Sequence, residues 1–381
     1  MATEKLYYAD AFLKEFTATV ISCEAAKTGF AVVLDRTAFY PEGGGQPADH
    51  GTLGDAAVTD VHEKDGVVFH TCNKAVDIGG SVSCTVDWQR RFDHMQQHSG
   101  EHILSGLICA SHGYDNVGFH MGADTVTIDF NGPLTDEEAA GLERRANQYI
   151  YENHPIEIAY PSPAELEALP YRSKKELSGE VRIVTFPGAD CCACCGTHVS
   201  FSGQVGLVKI LSCQKFREGV RMEILSGRRA LEYLSRVWDQ DKAVGQALSV
   251  KPTDTAAAVE RLKAELAEER TRRAQLEAEV FASIAAANQG AGNVTLFQGP
   301  LSGDAPRRLA DAVATACGGR CCVFAENGAG FHYAIVEKGA DIKDFVKALN
   351  AACNGRGGGR DGFAQGSVQA DRAAIEAFLA G

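Results

Sequence analysis

The chain has 381 residues, 45% of them hydrophobic, and a formal net charge of -13. That length provides for two or three domains with real cores, and no stretch has the length and apolarity of a membrane span or a secretory leader, so the expectation is a soluble, cytoplasmic protein. Thirteen cysteines, odd in number and scattered, point to buried thiols and a metal cluster rather than a disulfide framework, and the acidic balance argues against indiscriminate attraction to nucleic acid while leaving room for a local basic track.

Short alternating runs such as Thr17 to Val20 and Ala31 to Leu34 predict a small β-rich domain over residues 1–88. Inside it, Thr37-Ala38-Phe39-Tyr40-Pro41-Glu42-Gly43-Gly44-Gly45-Gln46-Pro47-Ala48-Asp49-His50-Gly51 carries three consecutive glycines, which let a backbone bend sharply and approach a ligand closely. Polar Thr37, Gln46 and Asp49 flank that bend.

From Asp87 the spacing becomes helical, running through Trp88, Arg91 and Phe92 to His98-Ser99-Gly100-Glu101-His102, Ile103 and Leu107. The two histidines are expected near the helix start, with Gln97 and Glu101 orienting them. Residues four apart share a helix face, so His98 and His102 can present two imidazoles to one ion.

A strand is predicted over 124–130 and a helix capped by Thr135 or Asp136 up to Asn153. A strand from Val181 to Phe186 leads into Asp190-Cys191-Cys192-Ala193-Cys194-Cys195-Gly196-Thr197-His198. The second segment repeats the four-residue spacing with Cys194 and His198. Three nitrogens and one sulfur suit zinc better than magnesium or calcium. Four sulfurs are in contention, Cys191, Cys192, Cys194 and Cys195, and the spacing favours Cys194. The pattern His-x-x-Glu-His also matches an inverted zinc-protease motif, but a Cys/His partner is a softer set than such enzymes use.

Two further strands, 205–211 and 220–225, close an α+β domain near residue 230. Residues 228–285 turn to Ala, Glu, Arg and Leu; Val259, Leu262, Leu266, Leu276 and Val280 keep a 3-4 spacing that Glu269 and Arg273 interrupt. This predicts a helical arm or hairpin closed by Pro252, which needs a neighbour or a second copy to pack on. A last compact unit has strands at 294–297, 321–324 and 331–336 and helices at 307–316 and 341–352. Near its end, Arg356-Gly357-Gly358-Gly359-Arg360 is expected as a loop of exposed amides and fixed positive charge suited to phosphate or a nucleic-acid backbone. Arg90-Arg91, Arg172 to Lys175 and Lys215 to Arg229 are the other candidate basic tracks.

Taken in order, Thr37 to Gly51, His98 to His102, Cys194 to Val199, Gly203 to Lys209, Gly219 to Glu223 and Gly357 to Gln365 resemble the editing half of alanyl-tRNA synthetase and its free-standing long form, the AlaX family. Cys195 stands where that family often has a glycine. The resemblance implies an α+β multidomain protein: a small N-terminal β-barrel (1–88), a zinc-containing editing domain (89–235), a helical arm (236–287) and a C-terminal α/β domain for tRNA binding or oligomerisation (288–381).

It further implies a trans-editing hydrolase that removes serine, or glycine, from mischarged alanine tRNA without a domain for charging it. One Zn2+ would be held by His98, His102, Cys194 and His198. Gln46 would align water, Thr37 would read the serine hydroxyl, and Arg356 to Arg360 would hold tRNA. A homodimer through the arm or the last domain is a further expectation. The alternatives are a non-enzymatic, zinc-stapled RNA-binding protein and a metallopeptidase dependent on Glu101.

Overall fold

The computed structural model describes residues 2–173, 180–328 and 330–380; Lys174 and Lys175 of one basic track lie outside them. The chain forms two compact units, Met1–Ala243 and Val244–Gly381. No helix among the described residues is long and apolar enough to cross a membrane.

The first unit opens with a closed six-stranded barrel in the order Glu15–Ala25, Phe30–Leu34, Val67–Cys72, Ala56–Lys64, Gly51–Leu53, Ser81–Val86. Alternation in sequence becomes inside and outside: Val82, Cys84 and Val86 are buried while Ser81, Ser83 and Thr85 are exposed. Val32, Leu34, Val58, Val61 and Val68 fill the interior, and closure leaves no free strand edge.

The helix Trp88–His112 follows directly. Asp87 caps it by accepting from the Arg90 N–H at 3.1 Å, and Gly113 ends it in the left-handed region at φ 70°. His98 and His102 therefore sit in its middle rather than near its start, because the helical pattern begins a full ten residues earlier than the first histidine. Seventeen of its residues are buried, a share that needs neighbours on every side.

Those neighbours are an antiparallel sheet ordered Val208–Phe216, Gly219–Ser226, Val126–Phe130, Asn116–Met121, the helix Asp136–Glu152, and the hairpin Ile183–Phe186 with Asp190–Ala193. Ile103, Leu104 and Ile108 pack there with Ile128, Met222, Leu142 and Phe186. Thr135 and Glu138 form a reciprocal cap on the second helix, as its sequence predicts.

A helix starts at Gly227, nine residues before the expected arm, because the strand ending at Ser226 runs straight into it. It ends at Leu248, and a second helix spans Thr255–Ala287 after a short turn at Pro252. Only Ala258, Phe281 and Ala285 of the second are buried.

In the second unit a five-stranded sheet runs Gly292–Gln298, Gly318–Glu326, Phe331–Val336, Phe363–Val368, Arg356–Arg360. The first pair is parallel and the rest antiparallel. Strand alternation serves two cores: Cys321 and Val323 face Leu309, Val313 and Phe281, whereas Cys322 and Phe324 face Val346, Leu349 and Ile375. The glycine run is thus not a loop. Arg356 to Arg360 form an edge strand, every residue exposed, and the chain turns only at Asp361-Gly362. Glycines here are placed by pairing with Phe363–Val368, which no local pattern announces.

Candidate metal centre

The long helix places His98 and His102 one turn apart with their rings stacked, centroids 5.2 Å apart. The chain leaving the Asp190–Ala193 strand brings Cys194 and His198 against them. One donor atom from each of the four lies within 4.8 Å of all the others. His98 Nε2 is 3.5 Å from Cys194 Sγ, and His198 Nε2 is 3.6 Å from it. All three histidines are buried.

The residues behind the rings decide which nitrogen faces inward. His98 Nδ1 donates to Gln46 Oε1 at 2.9 Å, and His102 Nδ1 donates to Asp190 Oδ2 at 2.8 Å. Each bond fixes the tautomer whose Nε2 lone pair points to the centre. His102 Nε2 has no hydrogen-bond partner among the described residues although it is buried. Arg172 in turn grips Asp190 through both carboxylate oxygens, at 2.8 and 2.7 Å.

The electrostatics agree. Burial opposes a charged Cys194, yet the three surrounding imidazoles outweigh it and hold the thiol well below its usual range. Burial likewise opposes a proton on His102, but the Cys194 sulfur and Asp190 raise it to about 10, while burial pushes His198 down to about 3. A lowered thiol beside three imidazoles is the charge balance that a divalent cation would match, since metal ligands must be deprotonated to bind. Three buried imidazoles and one partly buried cysteine sulfur, with oriented ring nitrogens, fit zinc.

Among the other cysteines, Cys195 is exposed, and burial raises the Cys192 thiol far above its usual range. Cys192 also falls in a group with His102 and Asp190, but Asp190 is already held by Arg172. Geometry thus brings Cys194 to the cluster.

The triple glycine makes a two-residue turn: Gly43 and Gln46 exchange backbone hydrogen bonds at 3.0 Å, with Gly44 and Gly45 at φ 61° and 86°. The turn brings Gln46 under His98, where it is fully buried. Its Oε1 accepts from His98 and from the Thr197 N–H at 3.2 Å, and its Nε2 donates to Thr197 Oγ1 at 2.9 Å. Both polar ends are engaged, so Gln46 orients an imidazole rather than facing water. A cavity of about 480 Å³ opens beside the cluster, walled by Gly44, Gly45, Val117, Phe119 and the Cys192–Gly196 segment. Gly196 allows the approach, since a Cβ there would lie 2.2 Å from His98 Cε1.

Other expected residues lie elsewhere. Thr37 is buried inside the barrel, its hydroxyl 2.8 Å from His70 Nε2 and accepting from the Phe39 N–H, and it does not line the cavity. Gln97 bonds the backbone of Ser226, and Glu101 accepts from Ser105 and Asn116. Arg91 pairs with Asp49, Arg172 with Asp190 and Arg229 with Asp93, whereas Arg356 and Arg360 are exposed. Local patterns do not single out Asp190 and Arg172 as orienting groups; the position of Asp190 at the head of the cysteine cluster is the available signal.

Residues 3–90 match the family model "tRNA synthetases class II (A)", 181–221 the "Threonyl and Alanyl tRNA synthetase second additional domain", and 291–380 the "DHHA1 domain". The alanyl-tRNA editing protein Aarsd1 of Mus musculus is 33% identical over 272 residues, covering 67% of this chain and 66% of its own length. The alanyl-tRNA editing protein AlaX-L of Pyrococcus horikoshii is 34% identical over 244 residues, 61% of this chain and 60% of its own. The alanine–tRNA ligase of Ignicoccus hospitalis is 35% identical over 278 residues, 69% of this chain but 30% of its own. The chain thus spans just under two thirds of the editing proteins it matches. In the histidine pair and the Cys194–His198 segment assembled as above, and in the three families it matches, the chain is similar to the AlaX-type alanyl-tRNA editing proteins.

Proposed function

We propose that this chain is an aminoacyl-tRNA deacylase acting in trans, which hydrolyses the ester joining serine, and also glycine, to alanine tRNA. The observation that carries the reading is the His98, His102, Cys194, His198 set, its three histidines buried and Cys194 partly so, opening onto one cavity of about 480 Å³. Four protein donors fill a tetrahedral shell, so what zinc supplies when bound is fixed charge and orientation for a substrate amino or hydroxyl group rather than an open position.

The chain's own groups supply the rest. Val117 and Phe119 give the cavity apolar walls. Gly44 and Gly45 line it, and neither amide donates a backbone hydrogen bond among the described residues, which supports a role as donors to the ester carbonyl. Polar groups that pair with the serine hydroxyl would be left unpaired by alanine, and that asymmetry spares correctly charged tRNA. The tRNA would run along the edge strand, where Arg356 and Arg360 flank glycines sharing a depression with Lys343 and Lys347. Leu262, Leu266, Leu276 and Val280, each about half exposed, support a second copy on the helical arm.

The test is release of serine from serine-charged alanine tRNA, beside alanine-charged tRNA and a His98→Ala, Cys194→Ala double variant. Serine release with alanine spared, lost in the variant, supports the deacylase. Serine that stays attached to a zinc-loaded, folded protein would overturn it in favour of RNA binding alone.

A further inference from the structure

Arg182, just ahead of the Ile183–Phe186 strand, has no place in the chemistry above, yet it is only 5% exposed. Its guanidinium Nη1 donates to two backbone carbonyls of the metal-binding segment, Cys194 O at 2.7 Å and Gly196 O at 3.1 Å. Its own carbonyl accepts from the Cys194 N–H at 3.1 Å, and its guanidinium lies 5.5 Å from the centre of the Tyr8 ring. Nε is buried without a partner among the described residues, so the hydrogen bonding of this side chain is directed at the two carbonyls.

Those two carbonyls belong to alternate peptide planes. A trans peptide points its N–H away from its C=O, so gripping Gly196 O turns the Thr197 N–H to the opposite side, where it meets Gln46 Oε1 at 3.2 Å. That same oxygen accepts from His98 Nδ1. The plane between the two gripped ones directs the Gly196 N–H at Cys194 Sγ, 3.4 Å away. One cation thereby sets a donor to the ligating sulfur and, through Gln46, the tilt of a ligating imidazole. With Gly196 pressed on His98, the segment has little room to readjust if the cation is removed.

We infer that Arg182 is a positioning residue for the metal centre, holding the Cys194–His198 segment so that Cys194 and His98 meet one zinc ion. The inference rests on the zinc reading proposed above. Its test is a chelator competition for Zn2+ on the full chain, together with absorption spectra of the Co2+-substituted forms. Wild type, Arg182→Met and Arg182→Lys are compared, with circular dichroism to confirm the fold.

Arg182→Met is expected to weaken zinc binding about 10- to 100-fold and to shift the cobalt ligand-field bands. Arg182→Lys, which keeps a cation but not the planar head over Tyr8, is expected to fall between. A merely structural arginine would lower the melting temperature and leave the cobalt spectrum of the folded protein unchanged. Wild-type zinc affinity and spectra in both variants would overturn the inference. Should Arg182→Met fail to fold, Arg182→Lys decides: weakened binding supports the role, and wild-type binding overturns it. A wild-type chain that takes no zinc overturns the zinc reading and this inference with it.

Discussion

Arg91 offers the sharpest test of how the barrel loop and the histidine helix are held together. Both Arg91 and its partner Asp49 are fully buried. The guanidinium Nε donates to both Asp49 oxygens at 3.1 and 2.9 Å, and Nη1 donates to Ala11 O at 2.7 Å; Nη2 donates to Ala38 O and to Asp49. Arg91→Met keeps much of the volume but leaves a buried carboxylate without its cation, which costs about 3–5 kcal/mol. Two carbonyls also lose a donor, at about 1–3 kcal/mol each where water cannot reach them. A net loss of about 4 kcal/mol or more is expected, a large part of the roughly 5–15 kcal/mol that holds a folded domain.

The assay is urea unfolding followed by Trp88 fluorescence. Trp88 stacks on Phe92 at 5.4 Å, beside Arg91, and a Trp238→Phe background removes the other tryptophan of the two. Adding Asp49→Asn removes the orphaned charge, so the double variant should be more stable than the sum of the single losses predicts. A loss below about 1 kcal/mol for Arg91→Met, or strictly additive single effects, would refute the argument that this pair bolts the loop to the helix.

Gln46→Ala removes the acceptor behind His98 and is expected to weaken zinc binding about 10- to 100-fold, read by chelator competition; unchanged affinity would mean that Thr197 and Arg182 hold the ring without it. Thr37→Val should cost about 1–3 kcal/mol by leaving the buried His70 ring nitrogen without its partner, while serine and glycine release stay in proportion. A selective loss of serine release would instead place that hydroxyl on the substrate. Burial pushes His70 down to about 4, so below pH 6.5 the unfolded chain binds a proton that the native one refuses. Stability from this group is complete above pH 6.5 and falls by about 3 kcal/mol toward pH 4, and His70→Gln should flatten that limb of the pH profile. Arg356→Gln and Arg360→Gln should each lower the slope of log affinity for tRNA against log salt by about one; an unchanged slope moves the RNA track elsewhere.

The local patterns carried much of the architecture. Alternation announced the barrel strands, Thr135 and Glu138 announced a helix start, and the four-residue spacings announced both halves of the donor set, because periodicity and capping depend on neighbours a few residues away. Tertiary structure decided which atoms those halves show each other. Nothing within ten residues of His98 specifies that Gln46 sits behind it and Asp190 behind His102, since both reach the rings through long-range packing of the barrel turn and the Asp190–Ala193 hairpin. The same holds for Thr37, whose hydroxyl faces His70 because barrel closure turns it inward. It holds for Arg356 to Arg360, where a glycine run that reads as a loop becomes a strand once Phe363–Val368 offers it an edge to pair with. A sequence names the donors and the period of each element; only the packing of distant segments sets the rotamer, the tautomer and the exposed face on which the chemistry depends.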